Sequence, residues 1–119
     1  MEKKLTQKEE EIMQVLWDLK KAFVNDILEQ FEEPRPPYNT VSSVVRKLVA
    51  EGVIGYEAFG KTHRYFPLIS KEDYRKTAFG DFMKNYFSSS PEQMLSFFVE
   101  EESVNQQELI DLLEKLKKT

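Results

Sequence analysis

The stretch YNTVSSVVRKLVAEGVIGYEAFGKTHRYFP, residues 38–67, changes its hydrophobic period halfway along, and that change decides the fold. Val41, Val44, Val45, Leu48 and Val49 fall at i, i+3, i+4, i+7 and i+8, which is one face of a helix. Asn39 or Thr40 is expected to cap its start, and Gly52 to supply the left-handed residue that ends it. From Val53 the pattern reads as a strand to Phe59, a turn at Gly60-Lys61-Thr62 and a return strand His63-Arg64-Tyr65-Phe66, stopped by Pro67. Opposite the valine stripe lie Ser42, Ser43, Arg46 and Lys47, with no acidic residue before Glu51.

Working outward, Thr6-Gln7-Lys8-Glu9 is a capping box, in which hydroxyl and carboxylate each satisfy a backbone N–H that the first helical turn leaves free. Ile12, Leu16 and Leu19, widened by Met13, Val15 and Trp17, predict a helix over about 6–19. Val24, Ile27, Leu28 and Phe31 predict a second over about 24–31, ended by the proline-rich run Glu32–Pro37. Helix, helix, helix, hairpin is the order of a winged helix-turn-helix. Downstream, Ser70-Lys71-Glu72-Asp73 opens a helix carrying Tyr74, Ala78, Phe79, Phe82, Met83, Tyr86 and Phe87. Ser88-Ser89-Ser90-Pro91 breaks it and starts a short helix to about Glu101. Asn105 opens a last helix with Leu109, Leu112, Leu113 and Leu116. The expected fold is mainly α with a small β-hairpin: a winged helix-turn-helix head over 1–70 and a C-terminal helical dimerisation tail over 71–119.

Composition narrows the function. With 119 residues, 40 % hydrophobic and 13 % aromatic, the chain is too apolar to be disordered. No apolar run approaches the roughly 18 residues of a membrane span, and no apolar core follows the N-terminal lysines, so neither membrane insertion nor a secretory signal is expected. The absence of cysteine excludes disulfides, thiolate metal sites and cysteine nucleophiles, and a single histidine, His63, cannot build a histidine metal site. The expected location is the cytoplasm, with no cofactor and no metal. Catalysis is not expected either. The four glycines, Gly52, Gly55, Gly60 and Gly80, are too scattered for a phosphate loop, and a serine triad would have to rely on a histidine at the end of a hairpin.

Charge distribution says more than the net charge of −4. Residues 35–67 hold five basic side chains against two acidic ones, and residues 71–119 hold seven against ten. A basic middle with an acidic tail, and Lys61, Thr62, His63 and Arg64 grouped at the hairpin end, point to double-stranded DNA. A recognition helix offers its N-terminal side chains to base edges, and Arg is suited to the O6 and N7 of guanine. The expected DNA-binding residues are Asn39, Thr40, Ser42, Ser43, Arg46 and Lys47 on the third helix, with Lys61 and Arg64 on the wing. The competing reading is an ordinary solvated helix face, with the winged helix used for protein–protein contact. Residues 71–119 are too few to bury their aromatics among themselves. Phe82, Phe98, Leu109, Leu113 and Leu116 are therefore expected at a homodimer interface, and an aromatic ligand pocket is the alternative.

These residues also carry a resemblance. Leu5-Thr6, Glu9 to Met13 and Val15-Leu16-Trp17, then Val24 and Ile27, Tyr38-Asn39-Thr40-Val41, Leu48 to Gly52, and Gly60-Lys61 with Tyr65 and Pro67 resemble the penicillinase repressor family (BlaI/MecI/CopY) in order and spacing. The resemblance implies a homodimeric repressor on a palindromic operator. It also implies a sensor-linked protease as partner, relieving repression by cleaving the tail. The sequence departs from the family pattern at Asn39-Thr40, where Thr-Thr is usual, at Ser42, often Lys, and at Lys47, which stands in place of the usual Arg with Arg46 before it. It has no tail cysteines of the copper-responsive branch, and Phe97-Phe98 stands where the antibiotic-responsive branch has its Asn-Phe cleavage point.

Overall fold

The computed structural model describes residues 4–101 and 105–117, except for the side chains of 106, 109, 112, 113, 116 and 117. The chain divides into two compact units, Met1–Lys76 and Thr77–Thr119.

In the first unit, α1 spans Gln7–Leu19, α2 Val24–Glu29 and α3 Tyr38–Ala50. The capping box forms as its spacing requires: the Glu9 N–H donates to Thr6 Oγ1 (3.2 Å), and Glu9 Oε1 accepts from the Thr6 N–H (2.9 Å). At α2 the Phe23 N–H donates to Asp26 Oδ2 (3.0 Å). This helix closes two residues sooner than its periodicity suggests. Gln30 and Phe31 turn their N–H groups to the carbonyls of Ile27 and Leu28, an i→i−3 tightening ahead of the prolines. The start of α3 corrects the sequence expectation, because the cap is Pro37 and not Asn39 or Thr40. The extended backbone of Pro37 presents its carbonyl to the N–H groups of Thr40 and Val41 (3.1 and 3.2 Å). Asn39 and Thr40 thus stand inside the first turn, and neither side chain caps the helix.

Strands β1 (Ile54–Phe59) and β2 (Thr62–Pro67) pair antiparallel, with Phe59 opposite Thr62 and Ile54 opposite Pro67. The turn is therefore only Gly60-Lys61, with Gly60 at φ +63°. Thr62 and Pro67, expected as turn and stop, are strand ends. Ala22 adds a bridge to β2, exchanging N–H···O bonds with Tyr65 (2.9 and 2.7 Å). A two-stranded hairpin is marginal alone, and this bridge fastens it to the turn between α1 and α2.

The core of this unit is the meeting of the stripes. Ile12, Met13 and Leu16 of α1, Ile27 of α2, Val41, Val45 and Leu48 of α3 and Ile54 of β1 are all buried. The N-terminal end of α4 (Lys71–Phe87) belongs here too. The Tyr74 hydroxyl accepts the Leu5 N–H (3.1 Å) and donates to Glu10 Oε2 (3.3 Å), while its ring lies 5.8 Å from that of Trp17. Burial raises the Tyr74 phenol above its ordinary value. Tyr74→Phe is expected to lower stability by roughly 1–3 kcal/mol, since it leaves the buried Leu5 N–H unpaired. Urea denaturation followed by circular dichroism measures this, and an unchanged midpoint would show that Leu5 finds another acceptor.

The second unit holds the rest of α4, α5 (Pro91–Glu100) and α6 (Gln106–Lys117). Ser88 and Ser89 both take positive φ, 50° and 59°, and turn the chain sharply after α4. Ser90 then caps α5 by accepting the Gln93 N–H (3.2 Å), with Pro91 at the first helical position. Met83 and Phe87 are buried, and the Phe87 ring lies 5.6 Å from Phe82 and 5.7 Å from Phe97. Around them Phe79, Phe82, Tyr86 and Phe97 remain 54, 42, 71 and 48 % exposed. Of the residues expected at a dimer interface, Phe82 is exposed and Phe98 half-buried. The side chains of Leu109, Leu113 and Leu116 lie outside the described residues.

Candidate nucleic-acid interface

Successive rows of α3 have different surroundings because each residue turns the helix by about 100°. Tyr38, Ser42 and Arg46 stand at i, i+4 and i+8 and form one wall of an open groove of about 750 Å³. The opposite walls come from Phe23 to Asp26 at the start of α2 and from Lys61, Thr62, His63 and Tyr65 on the wing. The next row, Asn39, Ser43 and Lys47, is exposed on the outer ridge of the helix. Thr40 faces elsewhere. It is half-buried and lines a smaller recess with Phe31, Pro34 and Pro36.

The cations of this surface fall into two classes. Arg46 Nε donates to the Ser42 carbonyl (3.3 Å), which holds the guanidinium along the helix. Neither Arg46 nor Lys61 has an ion-pair partner among the described residues. Lys47 does: its Nζ lies 3.1 Å from Oε2 of Glu9, whose side chain is only 3 % exposed. One carboxylate therefore caps α1 and clamps α3. Arg64 is paired as well, with Nη2 3.0 Å from Glu57 Oε1, and the same oxygen lies 3.3 Å from Lys21 Nζ. Hydrogen bonds from Arg64 and then Lys21 hold the Glu57 carboxyl below the usual range.

The register explains why Arg64 is not with Lys61 at the hairpin end. Glu57 and Arg64 are directly opposite and share one face of the hairpin, whereas Ala58–His63 and Tyr56–Tyr65 alternate onto the other. The Arg64 guanidinium lies 4.9 Å from the centre of the Phe59 ring on that first face. His63 stacks on Tyr56 at 4.3 Å and lines the groove. Tyr65 is buried beside it, and burial raises its phenol above the ordinary value. Of the expected residues, Ser42, Arg46 and Lys61 come together in the groove, Asn39, Ser43 and Lys47 lie on the adjoining ridge, and Thr40 and Arg64 face other surfaces.

Sequence reading missed Tyr38, Asn25 and the Tyr56–His63 stack as part of this surface. Position i−4 from Ser42 would have revealed Tyr38. Asn25 depends on how α2 packs against α3, and the Tyr56–His63 stack on how the wing folds back.

A family model described as penicillinase repressor matches residues 5–118. The methicillin resistance regulatory protein MecI of Mammaliicoccus sciuri is 25 % identical over 109 residues, which is 91 % of this chain and 89 % of that protein. The penicillinase repressor of Bacillus licheniformis is 20 % identical over 107 residues, 89 % of this chain and 84 % of that one. Among solved structures, hsRosR-S4 superposes with a TM-score of 0.55 over 85 % of this chain and 91 % of that one, at 15 % identity, a likeness of fold.

Proposed function

The chain belongs to the penicillinase repressor family of DNA-binding transcriptional repressors, and from that premise we propose that it acts in the cytoplasm as a homodimer on a palindromic operator. The observation that carries the proposal is the groove in which Arg46 and Ser42 of α3 face Lys61 of the wing. A duplex seated there receives α3 in its major groove and the wing along its backbone. Arg46, Ser42, Ser43 and Asn39 are the side chains proposed to meet base edges and flanking phosphates. Lys61 is proposed to hold the backbone. Lys47 and Arg64 reach DNA only by giving up their carboxylates, and Thr40, turned to the recess beside Phe31, is left out of the proposed contact.

Dimerisation is assigned to the tail, where exposed aromatics on α4 and α5 offer apolar surface to a second copy. Relief of repression by a sensor-linked protease is the regulatory part of the proposal. Phe97-Phe98 lies on α5, so a cut there separates α6 from the rest of the tail.

Arg46→Ala is expected to weaken operator binding by roughly 1–3 kcal/mol and to relax the preference at one base position in each half-site. Lys61→Ala is expected to weaken all duplexes alike and to reduce the slope of log K against log salt by about 0.9 for one lost phosphate contact. Selecting bound fragments from genomic DNA defines the operator, and titrations at several salt concentrations then separate the two effects. If Arg46→Ala leaves both affinity and preference intact, α3 does not read the major groove. If the full chain binds no duplex even at low salt, the winged helix serves a protein partner instead.

A further inference from the structure

The geometry points to Glu57 as a residue that limits DNA affinity by holding two cations, Arg64 of the wing and Lys21 of the α1–α2 turn, away from the DNA backbone, an inference that rests on the DNA-binding reading above. Its Oε1 takes both Arg64 (3.0 Å) and Lys21 (3.3 Å). Each cation also lies over an aromatic ring on the same side, Arg64 at 4.9 Å from Phe59 and Lys21 at 5.9 Å from Phe66. The arrangement lays Arg64 flat on the outer face of the hairpin, away from the groove-lining Lys61.

Arg64 stands three residues beyond Lys61, a separation of roughly 10 Å along a strand. Once released, a flexible arginine arm covers most of that distance and can meet the phosphates flanking those that Lys61 contacts. The exchange is open because exposed ion pairs are individually weak, with side chains here 34, 42 and 51 % exposed for Arg64, Glu57 and Lys21. It is opposed because moving Arg64 onto DNA strands the Glu57 carboxylate beside a polyanion. Glu57 therefore sets how much of the wing's charge the duplex can use. A repressor limited in this way binds through α3 and Lys61 and adds little sequence-independent grip.

The test uses the full chain and a random-sequence duplex of about 30 base pairs, with fluorescence anisotropy over a salt series. Glu57→Gln keeps the size and hydrogen-bonding capacity of the side chain and removes its charge. It is expected to tighten binding roughly three- to tenfold at low salt and to steepen the salt slope by about 0.9 for each new phosphate contact. Adding Arg64→Ala to Glu57→Gln is expected to abolish most of the gain. Glu29→Gln, at the end of α2, changes net charge equally and is expected to gain less than twofold. Should the glutamine disturb folding, as a lowered thermal midpoint would show, Glu57→Thr repeats the series with a good strand former. The inference is overturned if the folded Glu57 variant binds no tighter, if Arg64→Ala leaves the gain in place, or if Glu29→Gln gains as much. Failure of the unaltered chain to bind the duplex at all would instead remove the DNA-binding reading on which the inference rests.

Discussion

A fragment ending at Lys76 is expected to bind operator duplex at least about a hundredfold more weakly than the full chain, although it keeps every side chain proposed to touch DNA. Two linked heads meet two half-sites, and the second engagement is then intramolecular. A lone head loses that advantage and half of the phosphate contacts. The cut belongs after Lys76 and not at Ser70, because Tyr74 packs on Trp17 and accepts the Leu5 N–H. A fragment ending at Ser70 would confuse loss of pairing with loss of folding. Sedimentation gives the oligomeric state, and anisotropy titration gives the affinity. A fragment that is still dimeric and binds as tightly as the full chain would remove the tail from assembly.

The point-mutant counterpart is Phe82→Ala. Phe82 is 42 % exposed within one chain and stands in a segment with the likewise exposed Phe79, Tyr86 and Phe97. Truncating an aromatic that is buried on pairing costs roughly 3–5 kcal/mol, and a two-fold interface counts each substitution twice. The dimer should shift toward monomer at micromolar concentrations while the head melts as before. Phe98→Ala tests α5 in the same way. Loss of head stability in either variant would mean that the rings serve the fold and not the pairing.

The second large effect concerns the head. Val45→Asp is expected to abolish its cooperative melting near room temperature. Val45 is fully buried, in a core shared with Ile12, Leu16 and Leu48. An unpaired carboxylate placed there costs several kcal/mol, against a total of about 5–15 kcal/mol for a domain. Ser43→Asp on the outer ridge supplies the contrast. It adds the same charge where water solvates it, so stability should move by no more than about 0.5 kcal/mol, while DNA binding should weaken by like-charge repulsion. Calorimetry on both variants decides, and a normal transition for Val45→Asp would place the valine stripe on the surface.

Much of this protein was legible in the sequence, and the legible parts share a cause. Helix faces repeat at three and four residues and strands at two, so the valine stripe of α3 and the change of period after Gly52 announced a helix followed by a hairpin. Thr6 with Glu9, and Ser90 with Pro91, marked helix starts because a cap and its partner are neighbours along the chain. Polar Ser42, Ser43 and Arg46 could be placed opposite the buried stripe by the same counting.

Tertiary structure decided what counting could not. Glu9 looked complete as one half of a capping box, yet it also clamps Lys47, which the sequence offered as a free cation. Arg64 stands close to Lys61 in the sequence, yet a two-residue turn and the strand register set it opposite Glu57 and beside Lys21. Tyr74 belongs by sequence to the tail, yet its hydroxyl binds the backbone at Leu5, 69 residues away. Ala22 bears no mark of a strand and still pairs with Tyr65. These contacts join residues far apart in the chain, and a carboxylate accepts whichever cation packing brings within reach. Local pattern lists the charges, and only the rotation and closure of packed elements choose the partners and thereby the cations left for DNA.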